Sequence, residues 1–138
     1  MKKTSIIPSG NIQKGPIVDE ELRFSFKYYD DSDSELCPPL FHENYTQVLM
    51  RRLKNLSSMK MKEFTTQFSS RGSALRIHKH DWSETSRPQG FLHLPKHLAG
   101  SEGWQFQLTA NEHGRVHGII IGHTFYVIWL DKDHKLYP

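Results

Sequence analysis

The sequence has 138 residues, which leaves room for one domain of ordinary size, and its 18 Lys and Arg against 15 Asp and Glu give a mild net charge of +3. Aromatic residues make up 12% of the chain, which argues against disorder, and no apolar run approaches the roughly 20 residues of a membrane-spanning helix. The single cysteine, Cys37, excludes an internal disulfide, and the apolar segment near the N-terminus is too short for an export signal. We therefore expect a cytoplasmic protein that does not enter the membrane.

The first element predicted along the chain is a strand at residues 22–29. Its apolar residues Leu22, Phe24 and Phe26 alternate with polar ones, and a period of two is typical of a strand with one buried face. Residues 1–20 contain prolines and glycines with few apolar side chains. We therefore predict an N-terminal arm or tail at residues 1–20 and a single domain at residues 21–138.

Two helices are predicted after this strand. Between residues 43 and 56, apolar side chains recur every three or four positions, as on one face of a helix: Tyr45, Val48, Leu49, Leu53 and Leu56. After a break at residues 57–58, Met61, Phe64 and Phe68 repeat this spacing in a second predicted helix. The short link predicts an antiparallel helical hairpin.

The remaining pattern predicts a sheet. Strands are expected at residues 74–80, 104–110, 115–121 and 124–130, and a long loop carrying several prolines and glycines spans residues 81–103. Gly122 and His123 lie where a two-residue hairpin turn favours a glycine with positive φ. The predicted fold class is α+β: a helical hairpin packed on an antiparallel sheet of four to five strands, as a two-layer sandwich.

The C-terminal segment carries the residue types that RNA cleavage by 2′-hydroxyl attack requires. Arg115 and His117 share a strand face because they are two residues apart, and His134, Lys135 and Tyr137 follow the last predicted strand. The reaction needs a base for the hydroxyl, an acid for the leaving 5′-oxygen and a cation for the phosphate, but no metal or other cofactor. The alternative is a polar, solvated tail in which Tyr137 only packs its ring on the sheet.

Further basic groups are candidates for binding an RNA backbone. Arg51 and Lys54 share one face of the first predicted helix, and Arg76, His78 and His80 share one face of a predicted strand. Solvated faces of a helix and a strand are the alternative in both cases. The residues predicted to bind RNA are Arg51, Lys54, Arg76, His78, His80 and His117.

A weaker alternative is a metal site on the strand at residues 74–80. His78 and His80 at a spacing of two could reach one ion, which Asp81, His93 or His97 would complete. The chain contains no His-Glu-x-x-His motif and no set of cysteine ligands, so our main assignment includes no metal ligand.

The placement of Arg115, His134 and Tyr137 resembles the RelE/ParE/YoeB-like toxin superfamily. In its YoeB-like members a histidine and a tyrosine stand at the C-terminus, and an arginine on the penultimate strand acts on the phosphate. The resemblance implies ribosome-dependent mRNA cleavage and a partner antitoxin. Our main hypothesis assigns His134 as general acid or base, Arg115 and Lys135 as phosphate stabilisers, and Tyr137 as the residue that orients the hydroxyl.

A different class of function is a non-enzymatic interaction module of a toxin–antitoxin or phage-defence system. In that hypothesis an exposed edge strand and the loop at residues 81–103 bind a protein partner, and Trp82 and Phe91 are the residues on which binding depends. Trp82 either anchors the loop or stacks on a ligand, whereas Trp104, Phe125 and Trp129 are expected in the core.

Overall fold

The computed structural model describes residues 20–67, 76–109 and 112–138. The sheet consists of β1 (Arg23–Ser25), β2 (His78–Lys79), β3 (Trp104–Gln107), β4 (Arg115–Ile121) and β5 (Thr124–Asp131), and the α-helix, α1, is Tyr45–Leu56. The predicted arm, except for Glu20, lies outside the described residues, as do residues 68–75 with the end of the second predicted helix.

The sheet is mixed. Its strand order is β1-β5-β4-β3-β2, and β1 pairs with β5 in parallel, whereas the other neighbours are antiparallel. The prediction of an antiparallel sheet is therefore wrong for β1. A hairpin forces its two strands to be antiparallel, but β1 reaches β5 only through α1 and three intervening strands, so no turn fixes its direction.

Helix α1 confirms the first predicted helix. Its apolar positions Leu49, Leu53 and Leu56 are buried in the core, as the periodicity predicted. In the described part of the second predicted helix, the structure has a short π-helical segment, Glu63–Gln67. Phe64 of this segment is fully buried. Single 3₁₀ turns occur at Trp82–Glu84 and Lys96–Leu98 in the long loop. The architecture is α+β with a five-stranded mixed sheet.

The two faces of the sheet are covered by different parts of the chain. On the first face, Phe64 from the π-helical segment packs against Phe106 and Phe125, with ring centroids 6.0 and 6.1 Å apart. On the second face, the loop at residues 81–103 packs Phe91 against Trp129, at a centroid distance of 4.8 Å. Gln105, Arg115 and His117 belong to this second face, because Gln105 pairs with His117 and Arg115 lies two residues from His117.

A β-bulge determines which face the end of β5 presents. His117 pairs with Trp129, whereas the next residue of β4, Gly118, pairs with Val127, so Ile128 is one extra residue in β5. Without the bulge, simple alternation would place Asp131 on the same face as Phe125. With it, Asp131 lies opposite Arg115 on the second face.

Gly118, beside the bulge, allows β4 and β5 to approach closely. A Cβ at this position would overlap the carbonyl oxygen of Tyr126 and lie 2.6 Å from the Phe125 ring. We expect Gly118→Ala to lower the free energy of unfolding by about 3 kcal/mol, because neither strand can move without disrupting the sheet. Urea unfolding measures this. Gly122→Ala is the control, because open space surrounds that Cβ and only its positive φ of 63° opposes the change. Equal losses in the two variants would contradict the expected overlap.

Candidate functional site

A pocket of about 190 Å³ opens on the second face of the sheet, where β2, β3 and β4 meet the C-terminal segment. This volume is many times the roughly 10–15 Å³ that one water molecule requires, so a group larger than water fits. Eight side chains line the pocket, most of them basic or aromatic: Arg76, His78, Gln105, Arg115, His117, Asp131, His134 and Tyr137.

Asp131 holds the C-terminal segment across the pocket. Its buried carboxylate accepts hydrogen bonds from the backbone N–H groups of Lys135 (2.7 Å) and Leu136 (3.0 Å), and the Leu136 side chain is completely buried. Ser86 of the long loop binds the same segment, since its N–H donates to the Leu136 carbonyl and its hydroxyl to the Lys135 carbonyl. The segment that ends at Tyr137 is therefore part of the folded domain and not a solvated tail.

A chain of hydrogen bonds runs from the pocket into the protein. The Tyr137 hydroxyl lies 2.8 Å from His80 Nδ1, His80 Nε2 lies 3.0 Å from His117 Nδ1, and His117 Nε2 lies 2.9 Å from Asp131 Oδ2. His117 is fully buried. Each nitrogen of the two imidazole rings has one partner, and the chain ends at a carboxylate.

Burial keeps both histidines of this chain uncharged. Loss of solvent lowers the pKa of His80 to about 2, and the neighbouring rings of His117 and His78 act in the same direction. Burial also lowers the pKa of His117, although its hydrogen bond to Asp131 opposes this. Burial alone would raise the pKa of Asp131, but the hydrogen bond from His117 and the two backbone donors lower it, so the carboxylate is ionised at neutral pH.

The pocket also brings two guanidinium groups close together. Burial lowers the pKa of Arg115, and the charge of Arg76 lowers it further. Within the described residues, Arg115 Nη1, His134 Nε2 and Gln105 Oε1 are buried without a hydrogen-bond partner. Buried polar atoms are nearly always satisfied, so unsatisfied ones that line one pocket indicate a polar ligand. Because the neighbouring group is a second cation, an anion fits best.

The backbone is strained at two residues of the pocket. Among the described residues, Arg76 (φ 47°) and His134 (φ 57°) are the non-glycine residues with positive φ. This conformation is unfavourable for residues with a Cβ and is found at functional sites, where the surrounding structure maintains it. Both residues line the pocket.

The predicted site residues are only partly brought together. Arg115, His134 and Tyr137 line one pocket with Arg76 and His78, although Arg76 precedes β2 and is not part of it. The side chain of Lys135 is exposed and does not line the pocket.

His80 and His117 do not fit their predicted role as RNA contacts. His117 is completely buried, and the ring nitrogens of both residues are occupied by hydrogen bonds within the protein. Direct contact with RNA is therefore excluded for His117, and His80 supports Tyr137 from behind the pocket. Arg51 and Lys54 are exposed on α1 and do not line the pocket.

Asp131 and Gln105 were missed in the sequence. Asp131 ends β5 directly after the apolar run at residues 125–130, which was the one available indication that its carboxylate would be buried. Gln105 lies between the aromatic residues Trp104 and Phe106 in β3, and nothing in its spacing distinguishes it from a solvent-facing residue.

Trp82 and Phe91, the residues on which a docking loop would depend, are packing residues. Phe91 is 9% exposed and contacts both Trp82 and Trp129. They attach the loop to the sheet, so substitutions there would affect folding first. For the metal alternative, no group of three or more His, Cys, Asp or Glu side chains in residues 20–67, 76–109 and 112–138 is arranged to hold an ion.

The chain matches no family model, no curated protein and no solved structure. Within the described part of the chain, no helix combines the length and apolar character needed to cross a membrane.

Proposed function

We propose that this protein is an endoribonuclease that cleaves RNA by attack of a 2′-hydroxyl on the adjacent phosphorus, using side chains and no metal ion. The observation that carries the proposal is that Arg115, His134 and Tyr137 line one pocket. They supply a cation, an imidazole and a phenol, which are the groups that stabilise the phosphate charge and move protons to and from oxygen.

The phosphate is expected between the two guanidinium groups. Arg115 Nη1 and His134 Nε2 are buried and unsatisfied in the described structure, and a phosphodiester offers acceptor oxygens for both. Such a ligand would also reduce the repulsion between Arg115 and Arg76 that lowers the pKa of Arg115. His78, exposed at the pocket edge, would contact a neighbouring part of the RNA.

We further propose that the protein belongs to the RelE/ParE/YoeB-like toxin superfamily, which its C-terminal residues resemble. Its members combine a helical hairpin with the sheet, and we propose that α1 and the segment beginning at Glu63 form this hairpin as one layer of a two-layer sandwich. Ribosome-bound mRNA is then the expected substrate and an antitoxin protein the expected partner.

Cleavage of a labelled RNA in the presence of EDTA tests the function. We expect a product with a 2′,3′-cyclic phosphate, and no cleavage at a position where the 2′-hydroxyl is replaced by hydrogen. His134→Asn is expected to abolish cleavage, because asparagine tolerates positive φ but cannot transfer the proton. The matched control is His97→Asn at an exposed position outside the pocket. The proposal fails if the wild type cleaves neither free RNA nor ribosome-bound mRNA, or if His134→Asn is as active as the control.

Arg51 and Lys54 are expected to add affinity without taking part in the reaction. Both are exposed on α1 and absent from the pocket lining. The double variant Arg51→Gln, Lys54→Gln should weaken the binding of a long RNA. It should also reduce the slope of log affinity against log salt concentration by about 1–2, because binding releases fewer counterions when two phosphate contacts are lost. Titrations at several salt concentrations measure the slope. Cleavage of a dinucleotide should be unchanged, and an unchanged slope would assign both residues to a merely solvated helix face.

A further inference from the structure

We propose that Tyr137 is the group that accepts the proton of the attacking hydroxyl, and that His80, His117 and Asp131 are positioning residues that restrict it to this role. The inference rests on the proposed function and deepens it, because it divides acid and base between Tyr137 and His134.

The direction of every hydrogen bond in the chain follows from its buried end. The Asp131 carboxylate accepts from two backbone N–H groups and is ionised, so it also accepts from His117 Nε2, which must carry a hydrogen. Because His117 is neutral, its Nδ1 is an acceptor, and His80 Nε2 must donate to it. Neutral His80 then has a lone pair on Nδ1, and the Tyr137 hydroxyl must donate to that.

This order leaves the Tyr137 oxygen as an acceptor toward the pocket. The single hydroxyl proton points to His80, and the Asp81 backbone N–H also donates to the oxygen. A lone pair remains for a ligand. Tyr137 can therefore receive a hydrogen bond from the 2′-hydroxyl of RNA but cannot donate one to the leaving oxygen. His134, which lines the same pocket, has a buried and unsatisfied Nε2, which is free to serve the leaving oxygen.

In the proposed cleavage step, the 2′-oxygen forms its bond to phosphorus while its proton passes to the Tyr137 oxygen. The Tyr137 proton passes at the same time to His80 Nδ1. The bond between phosphorus and the 5′-oxygen breaks, and that oxygen takes a proton from Nε2 of His134. Burial lowers the pKa of His134 in the free protein, so the reactive form is the one in which the negative charge of the bound phosphate holds His134 protonated. Because burial opposes a charge on His80, the proton passes on in the same step. His80 Nε2–H gives its proton to His117 Nδ1 and His117 Nε2–H gives its own to Asp131 Oδ2, so Asp131 becomes neutral and both rings stay uncharged. Proton exchange with water then removes the extra proton from the residues between Tyr137 and Asp131 and returns one to His134.

A substrate with a good leaving group separates the two roles. Uridine 3′-(4-nitrophenyl phosphate) undergoes the same 2′-hydroxyl attack but releases nitrophenolate, which needs no acid. We compare it with the dinucleotide UpA. His134→Asn should lose activity on UpA and recover to within about tenfold of the wild type on the nitrophenyl ester, whereas a variant that has lost the base stays inactive on both.

His80→Gln is the decisive variant. A glutamine can accept the Tyr137 hydroxyl through its oxygen and donate to His117 through its nitrogen, but an amide does not take up a proton. We expect kcat to fall about a hundredfold on both substrates, with KM within about threefold of the wild type. Tyr137→Phe should lose at least as much on both. Tyr126→Phe, also on the second face, is the matched control and should be unaffected.

The outcomes are distinct. If the activity of His80→Gln or Tyr137→Phe recovers on the nitrophenyl ester, the hydrogen bonds from Tyr137 to Asp131 serve the protonation of the leaving oxygen. That result would overturn the inference. An unchanged kcat of these two variants on both substrates, or a change in KM alone, would also overturn the inference. The proposed function would stand in each of these cases. If the wild type cleaves neither of these substrates, nor a longer RNA, nor ribosome-bound mRNA, the proposed function itself fails. Should His80→Gln not fold, Tyr137→Phe still decides the question, because the phenyl ring replaces the phenol at a partly exposed position.

Discussion

Replacing Arg115 by glutamine is expected to lower kcat for RNA cleavage by about 10²–10³-fold without loss of stability, because a buried donor aimed at a developing negative charge contributes this much to transition-state stabilisation. The side chain lies on the pocket floor, and its Nη1 is buried and unsatisfied. Burial and the charge of Arg76 lower the pKa of Arg115, so its positive charge opposes folding. A neutral amide removes this cost. Single-turnover cleavage and urea unfolding of the same protein measure both effects.

The matched control for this variant is Arg23→Gln, which removes an exposed guanidinium from β1 far from the pocket lining. It should leave cleavage unchanged. If Arg115→Gln kept more than a tenth of the wild-type rate, Arg115 would not be the residue that stabilises the phosphate. A fall in its urea midpoint would show that Arg115 has a structural role which its buried, unsatisfied Nη1 does not suggest.

Much of the fold follows from periodicity. Helix α1, the strands β4 and β5 and the turn at Gly122 were predicted with nearly their observed bounds. The apolar residues of α1 recur every three or four positions, and β4 and β5 carry apolar runs of strand length that a turn residue separates. The shared face of Arg115 and His117 follows from the same alternation, since no irregularity separates the two residues within β4. Local sequence specifies these features, so no knowledge of the tertiary structure is needed.

The rest of the site depends on contacts between distant parts of the chain. The bulge at Ile128 reverses the alternation in the middle of β5 and so places Asp131 beside His117, and no glycine or proline within β5 marks it. The bond between His80 and Tyr137 joins residues 57 positions apart. Both residues had been assigned to the site, but their relation could not be predicted, because it requires the long loop and the C-terminal segment to pack on the same face.

The hydrogen-bonded residues from Tyr137 to Asp131 also predict a marked loss of stability in mild acid. From pH 7.5 to pH 5, we expect the free energy of unfolding to fall by about 2 kcal/mol through His80, whose pKa of about 2 keeps it uncharged in the fold, and to fall further through His117. Burial holds the pKa of His80 and His117 below the ordinary value of 6.5. Below pH 6.5 the unfolded chain therefore binds protons that the folded protein does not, and stability decreases as the pH falls. The lowered pKa of Asp131 adds its own loss only near and below pH 4.

Urea unfolding at half-unit pH steps gives the number of protons taken up on unfolding directly from the slope of free energy against pH. Near pH 5 the wild type should take up about one proton through His80, with further uptake through His117 and His134, whose pKa values burial also lowers. His80→Gln should reduce the slope by about one proton, whatever its absolute stability, whereas His97→Gln at an exposed position should not change it. A wild-type slope below about half a proton would mean that His80 and His117 gain charge in the folded state, and the direction assigned to every hydrogen bond from Asp131 to Tyr137 would then be wrong.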